Sequence, residues 1–452
     1  MLKRKNMDMT EGNISRILLV YAIPILLGEI FQQLYSTVDT LIVGNMVDTA
    51  AMAAVGGTSN ITRLVIGIYV GISVGCTVTV ARAFGEKNNR KLKSAIHTIV
   101  FIAFGSGILF SILGIVFADS LLKLCAIPDD IYGMARAYVV IYFAGLLGLS
   151  VYNVCSGILR ALGDSRSPFI FLVVSSVLHI LLAVLFVGPL KMSINGVALA
   201  TVLSQFVSAL LTLRQLFRLD PEIRFSFQEH IFDWSMAADA AKVGLPVAAQ
   251  KGITQFSNII VLSYINFFGT ECLAGWTVYS RIYNLILYSV MSLGSAVTTF
   301  VSQNLGAGKG DRARIAVRTG FIYGMIYTAA VSFLAFSFRA PLIRAFGDGE
   351  GMFAYADRFM YYGIAFQMVQ PLVYVYAGAL QGMKKAGIST LFMMIGTIAV
   401  RQLYLFIITR YVNTPLVVSM AYPVGWFASG LPQYIVYRCV HKKVFQDSEN
   451  GI

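Results

Sequence analysis

The chain is expected to be an all-α polytopic membrane protein: twelve transmembrane helices in two pseudo-twofold-related six-helix bundles. Three observations predict this. Of 452 residues, 57% are hydrophobic and only 13% charged, with a mean hydropathy of +0.72. That leaves far less polar surface than a soluble chain of this length needs. Apolar stretches of about 20 residues, enough to cross a bilayer, recur along nearly the whole length. Finally, separated sequence blocks repeat at one nearly constant offset, the signature of a duplicated unit.

Six spans are expected near 17–43, 55–81, 94–117, 132–157, 167–187 and 195–213, and six more near 241–267, 273–302, 319–338, 354–380, 387–411 and 415–440. The organisation is then an N-terminal six-helix bundle over 1–220, a cytoplasmic connecting loop over 221–240, and a C-terminal six-helix bundle over 241–452. The basic leader MLKRKNMDMTEGNIS lacks a small-residue cleavage site, and the run after it is too long for a signal-peptide core. An uncleaved first span follows. In the connection, Arg224–Trp234 mixes aromatic and charged residues, so it either lies on the membrane interface or is a solvated loop.

The net charge of +13 invites a nucleic-acid reading, and its distribution argues against one. About 24 of the 35 Lys and Arg residues fall in alternate connections on one side, and about seven on the other. The rich side includes Lys3 to Lys5, Arg82 to Lys93, Arg214 to Lys242, Lys309 to Arg318 and the tail. This positive-inside bias predicts cytoplasmic termini and an even number of crossings. The five cysteines form no CxxC pair and read as small core residues.

The repeat is carried by three blocks. Ile23-Pro24 corresponds to Leu245-Pro246. ARAFGEKNNRK (Ala81–Lys91) corresponds to SQNLGAGKGDR (Ser302–Arg312), with Gly85 and Gly306 in register (306 − 85 = 221). GILRALGDS (Gly157–Ser165) corresponds to GALQGMKKA (Gly378–Ala386) at the same offset. Six spans per copy keep the copies in one orientation, which is a plan used by transporters. No Walker motif, metal-ligand spacing or Ser/His/Asp arrangement is present, so neither an enzyme nor an ATP-driven pump is expected, and no cofactor.

IPILLGEIFQQLYSTVDTLIVG (Ile23–Gly44), the AxxGExNxRK loop after the second span and GxLRAxGDS followed by Pro168 resemble the multidrug and toxic compound extrusion (MATE) family of bacterial type. The second-half Gly244–Pro246 and Gln303–Lys309 agree with it. The resemblance implies a secondary antiporter in the bacterial cytoplasmic membrane. It would export small amphipathic, mainly cationic compounds against protons or sodium, as a monomer contacting lipid and no nucleic acid. Flippases of lipid-linked saccharides share the scaffold and are the alternative. A channel is disfavoured, since no filter-like loop repeats.

Ionisable groups inside a membrane are costly and generally face a cavity or a partner. On the first span Glu29, Gln32, Gln33, Ser36 and Asp39 follow three- and four-residue steps and make one polar stripe. The stripe faces either a cavity or a neighbouring helix. Asp39 matches the acidic residue of the family's first helix, which makes it the candidate coupling carboxylate, with Gln32, Gln33 and Ser36 beside it. Span seven carries the matching stripe Lys251, Thr254, Gln255 and Asn258. Thr254 and Gln370 stand where sodium-coupled, NorM-like members have acids, so protons are the expected coupling ion and sodium the alternative. His179 replaces a residue usual in the DinF-like branch. It either joins a relay with Asp39 or is hydrogen-bonded within its bundle. Arg281 joins the C-terminal cavity set, Arg63 in span two is a further intramembrane cation with no duplicated partner, and Arg401 is expected to anchor helix-end carbonyls. Glu29 and Lys251 each lie five residues after a span proline. They are expected either to pair as a gate or to extend separately into water.

Overall fold

The computed structural model describes residues 7–47, 49–125 and 127–449; the side chains of 34–41, 43–46, 49 and 447–449 are outside that description. No strand occurs among the described residues. Only a helix satisfies its own backbone groups inside hydrocarbon, so a chain of long apolar runs has little other choice.

The twelve expected spans all form. They are Ile14–Met46, Thr49–Gly85, Asn89–Val116, the pair Asp129–Ala144 and Leu146–Ala161, Arg166–Val187, and Ser193–Phe217 in the first half. The second half has Trp234–Asn266, Thr270–Gly306, Gly310–Ser337, Glu350–Gly382, Ala386–Ile408, and Ala421–Glu449 preceded by the short turn Pro415–Ser419. Nine are long and apolar enough to cross a membrane by composition, and the bent fourth span makes a tenth. Spans seven and twelve have 33 and 29 residues. At about 1.5 Å per residue both exceed a bilayer's thickness. They are more polar because they carry Asp239, Lys242 and Lys251 in one case and His441, Lys442 and Lys443 in the other.

Three spans depart from the expected continuous helices. Span four bends by 46° at Gly145. A Cβ there would meet Val202 Cγ2 at 2.3 Å, so span six presses on the bend. Span ten contains a 3₁₀ stretch, Ile364–Val369, and span eleven a π-helical stretch, Ile395–Val400. Hydropathy cannot report either, because both keep the apolar run intact.

Helix boundaries reproduce the repeat. Spans two and eight have 37 residues each, spans three and nine 28 each, and both pairs begin at the sequence offset. The turns repeat as well. Lys87 and Gly308 have φ of 53° and 68°, and Gly163 and Lys384 have 85° and 59°. Each turn needs a left-handed residue, which glycine adopts freely and lysine under strain. A close helix contact is also duplicated. The Thr77 hydroxyl donates to the Gly157 carbonyl (3.2 Å), and Gly378 sits against the Gly294 carbonyl and Thr298 in the other half.

Packing divides the chain into two compact units, one built mainly from Leu27–Ala248, the other from Met9–Leu26 with Ala249–Ile452. Both divisions fall two residues beyond a helix proline, Pro24 and Pro246. Proline removes a backbone donor and crowds the preceding turn, so each of these continuous helices has its weakest backbone hydrogen bonding near the division.

The connection before span seven packs onto the first unit. Phe225 is fully buried among Phe101, Phe217 and His97. The Ser226 N–H donates to His97 Nε2 (3.2 Å), the Asp233 N–H to Thr98 Oγ1 (2.9 Å), and Lys93 pairs with Glu229 at 2.7 Å. A solvated or purely interfacial loop does not describe it. In the second unit the repeat block Gln303 to Arg312 grips the chain at Met9 to Glu11. Gln303 Oε1 accepts from the Met9 N–H (3.0 Å), and Asn304 and Arg312 donate to the Met9 carbonyl. Lys309 donates to the Thr10 carbonyl at 2.8 Å.

Candidate transport sites in each unit

In the first unit, the later half of span one packs on span five: Phe31 meets Phe169 edge-on, and Gly28 faces Leu172. Gln32 and Gln33 are exposed and Glu29 half-buried. Polar residues left accessible in mid-span suit a wetted face. Asp39 and Ser36, the remainder of this stripe, have side chains outside the described residues. Arg63 on span two is exposed.

His179 is buried at 1% exposure and lies 3.2 Å from the Thr201 hydroxyl of span six. That hydroxyl also donates to the Val197 carbonyl (3.0 Å). Which of the two groups donates depends on the imidazole tautomer. In either case the imidazole is held on span six.

The second unit places its candidate residues less uniformly. Lys251, Thr254, Gln255 and Asn258 are all half-buried, as a stripe on one helix face requires. The Thr254 hydroxyl donates to the Gln250 carbonyl of its own helix (2.7 Å). Arg281 is exposed. Gln370 is fully buried and its amide lies 3.5 Å from Gln367 Oε1; Gln367 Nε2 and Gln370 Oε1 have no hydrogen-bond partner. These orphans sit where the 3₁₀ stretch meets the α-helix, at which backbone and side-chain geometry both change.

Asn258 is drawn into a cluster that the sequence did not single out. Arg401, 2% exposed, donates through Nε to Ser257 Oγ (3.2 Å) and through Nη2 to Ser257 Oγ and to Asn258 Oδ1 (3.0 Å). Gln402 donates to the same Ser257 hydroxyl at 2.7 Å, and that hydroxyl donates to the Thr397 carbonyl at 2.7 Å. The guanidinium also lies over the Tyr422 ring, 4.9 Å from its centroid. Arg401 thus holds side-chain oxygens of span seven instead of helix-end carbonyls. The sequence signal available was the Ser257-Asn258 pair on the polar face of span seven. What the sequence lacked was the π-helical stretch immediately before Arg401.

The MatE family model matches residues 24–185 and 246–406, once per repeat. The chain belongs to the MatE family. It is a multi-pass membrane transporter and not an enzyme. It is 30% identical over 308 residues to the probable multidrug resistance protein YpnP of Bacillus subtilis, covering 68% of this chain and 69% of that one. Over 442 residues it is 24% identical to YoeA of the same organism, another probable multidrug resistance protein, covering 96% of both. The solved structure of a MOP superfamily transporter from Pyrococcus furiosus has the same fold, with a TM-score of 0.89 at 20% identity over 98% of this chain and 99% of that one.

Proposed function

We propose that this MatE transporter is a secondary antiporter. It exports small amphipathic compounds, mainly cationic, by alternating access, in exchange for inward protons. It works as a monomer among the lipids of a bacterial cytoplasmic membrane, with both termini inside. The observation that carries this is the duplicated family match over two polar-striped helices, spans one and seven. The names of YpnP and YoeA support drug export. Asp39 is the coupling carboxylate, a group at which proton uptake and cation release compete. Thr254 and Gln370 supply neutral oxygens, which favours protons over sodium as the driving ion. The test is export of a fluorescent cation from proteoliposomes with the proton and sodium gradients imposed separately. Proton-driven export is expected, and undiminished export on a sodium gradient alone with the proton gradient collapsed would overturn the ion assignment.

A second reading, a flippase for a lipid-linked saccharide, is favoured by the exposed Arg63 and Arg281 within spans, which would meet pyrophosphate. Transfer of a fluorescent lipid-linked saccharide between leaflets, with no gradient-driven cation export, would select it.

A further inference from the structure

We propose that the C-terminal unit contains a binding site for the oxyanion of an amphipathic molecule, centred on Arg401 and completed by the hydroxyls of Tyr283, Tyr374 and Tyr422. Arg401 is almost wholly buried, yet among the described residues no carboxylate pairs with it. Its protein partners are neutral: one serine hydroxyl, one asparagine oxygen and the face of Tyr422. Nη1 makes no hydrogen bond among the described residues. A permanent cation so placed inside a membrane bundle is costly, and a bound anion would offset that cost.

The surroundings carry no negative charge among the described residues. Tyr283, Tyr374 and Tyr422 pack together on the cluster that includes Val369 and Trp426, with the guanidinium over the Tyr422 ring and Tyr283 6.5 Å from Tyr422 between ring centroids. Tyr422 lies on Arg401 itself, while Tyr283 stacks on Trp426 with ring centroids 5.8 Å apart. Asn258 and Gln402, the nearest amides, are already engaged with Arg401 and Ser257. A guanidinium with an unengaged nitrogen next to a cluster of tyrosines suits a carboxylate or phosphate group. The rings of Trp426 and Tyr283 would take the apolar part. A π-helical stretch ends at Val400, immediately before Arg401, and such bulges are common at functional sites.

This deepens the export reading by adding an acidic group to the substrates, but its test is a binding measurement that needs no transport. Two of the three tryptophans report on the cluster: Trp276 and Trp426 have centroids 5.3 and 6.1 Å from that of Tyr422. Replacing the remaining one, Trp234→Phe, removes the background signal. In phosphatidylcholine nanodiscs, octyl phosphate and octanoate are expected to change the emission saturably, and octyltrimethylammonium to change it little. Arg401→Gln should weaken the anions by at least about tenfold, the scale of one lost charged contact, and Arg401→Lys by less. Tyr283→Phe, which keeps the ring, should weaken them several-fold and serves if Arg401→Gln does not fold. Nanodiscs containing phosphatidylglycerol separate a lipid headgroup from a soluble ligand: competition with octyl phosphate would assign the site to lipid. No saturable response in the parent protein, or equal anion affinity in Arg401→Gln, overturns the site. Failure of gradient-driven export with anion binding intact would overturn only the export reading.

Discussion

Spans five and eleven occupy equivalent places in the two repeats and differ in both backbone and chemistry. Span five is one continuous helix whose buried His179 hydrogen-bonds Thr201. Span eleven is interrupted by six π-helical residues, after which Arg401 reaches Ser257 and Asn258. The shared scaffold needs only apolar faces and matched turns, so duplication preserved those. Polar groups inside each bundle answer to local partners and have diverged. A histidine held by a threonine in one half and an arginine held by neutral oxygens in the other make the halves chemically unequal within one architecture.

The inequality is sharpest on spans one and seven. The equivalent of Asp39, one step beyond the paired stripes, is Val261, which is fully buried. Proton coupling should therefore belong to the N-terminal half alone. Asp39→Asn is expected to bring gradient-driven export in proteoliposomes to background with folding intact, whereas Thr254→Ala should retain most of it. Background-level export by both variants would remove the asymmetry.

The duplicated glycine contact gives a comparison in stability. A Cβ on Gly378 would lie 2.3 Å from the Gly294 carbonyl oxygen, and one on Gly157 would lie 2.7 Å from the Ser73 hydroxyl. A side-chain hydroxyl can rotate away, and a helix backbone cannot. Gly378→Ala should destabilise by about 1–3 kcal/mol, the range for overpacking, and Gly157→Ala by less. Thermal unfolding of the purified variants measures the difference, and equal shifts would show that the two helix pairs relax alike.

The left-handed turns predict opposite signs at one repeat position. Lys384→Gly removes strain and should stabilise by up to about 1 kcal/mol. At the equivalent Gly163, a Cβ would lie 2.1 Å from the Met7 carbonyl oxygen, so Gly163→Ala should destabilise. A smaller effect concerns the connection. The Lys93 ammonium beside Glu229 holds its carboxyl below the usual range. A lowered pKa contributes stability above the unfolded-state value, and that stability is lost as pH falls through the folded value. Proteolysis within 218–233 should accordingly be slow near neutrality and quicken below about pH 4. Glu229→Gln should show no such step.

Much of the fold was legible because a bilayer imposes length and hydropathy on every span, and because the repeat reports each span twice. The break at Gly145 was not, since a bent helix and a straight one have the same apolar run. The polar stripes were legible because one helix carries each: Gln32 and Gln33 are accessible, and Lys251, Thr254, Gln255 and Asn258 are all half-buried. Contacts were illegible where segments distant in sequence converge. Nothing local announces that Ser226 and Asp233 dock on His97 and Thr98, or that Gln303, Asn304 and Arg312 hold the Met9 backbone.

By itself the sequence determined the membrane setting, the twelve helices, the duplication and the family, because each follows from periodicity, hydropathy or spacing along one line. The tertiary structure alone decided which polar groups meet. Arg401, directly after a π-helical stretch, meets two neutral oxygens of span seven and the face of Tyr422. His179 finds Thr201 because spans five and six pack side by side. Both outcomes depend on helix rotation of a fraction of a turn, a variable that composition does not contain and packing fixes.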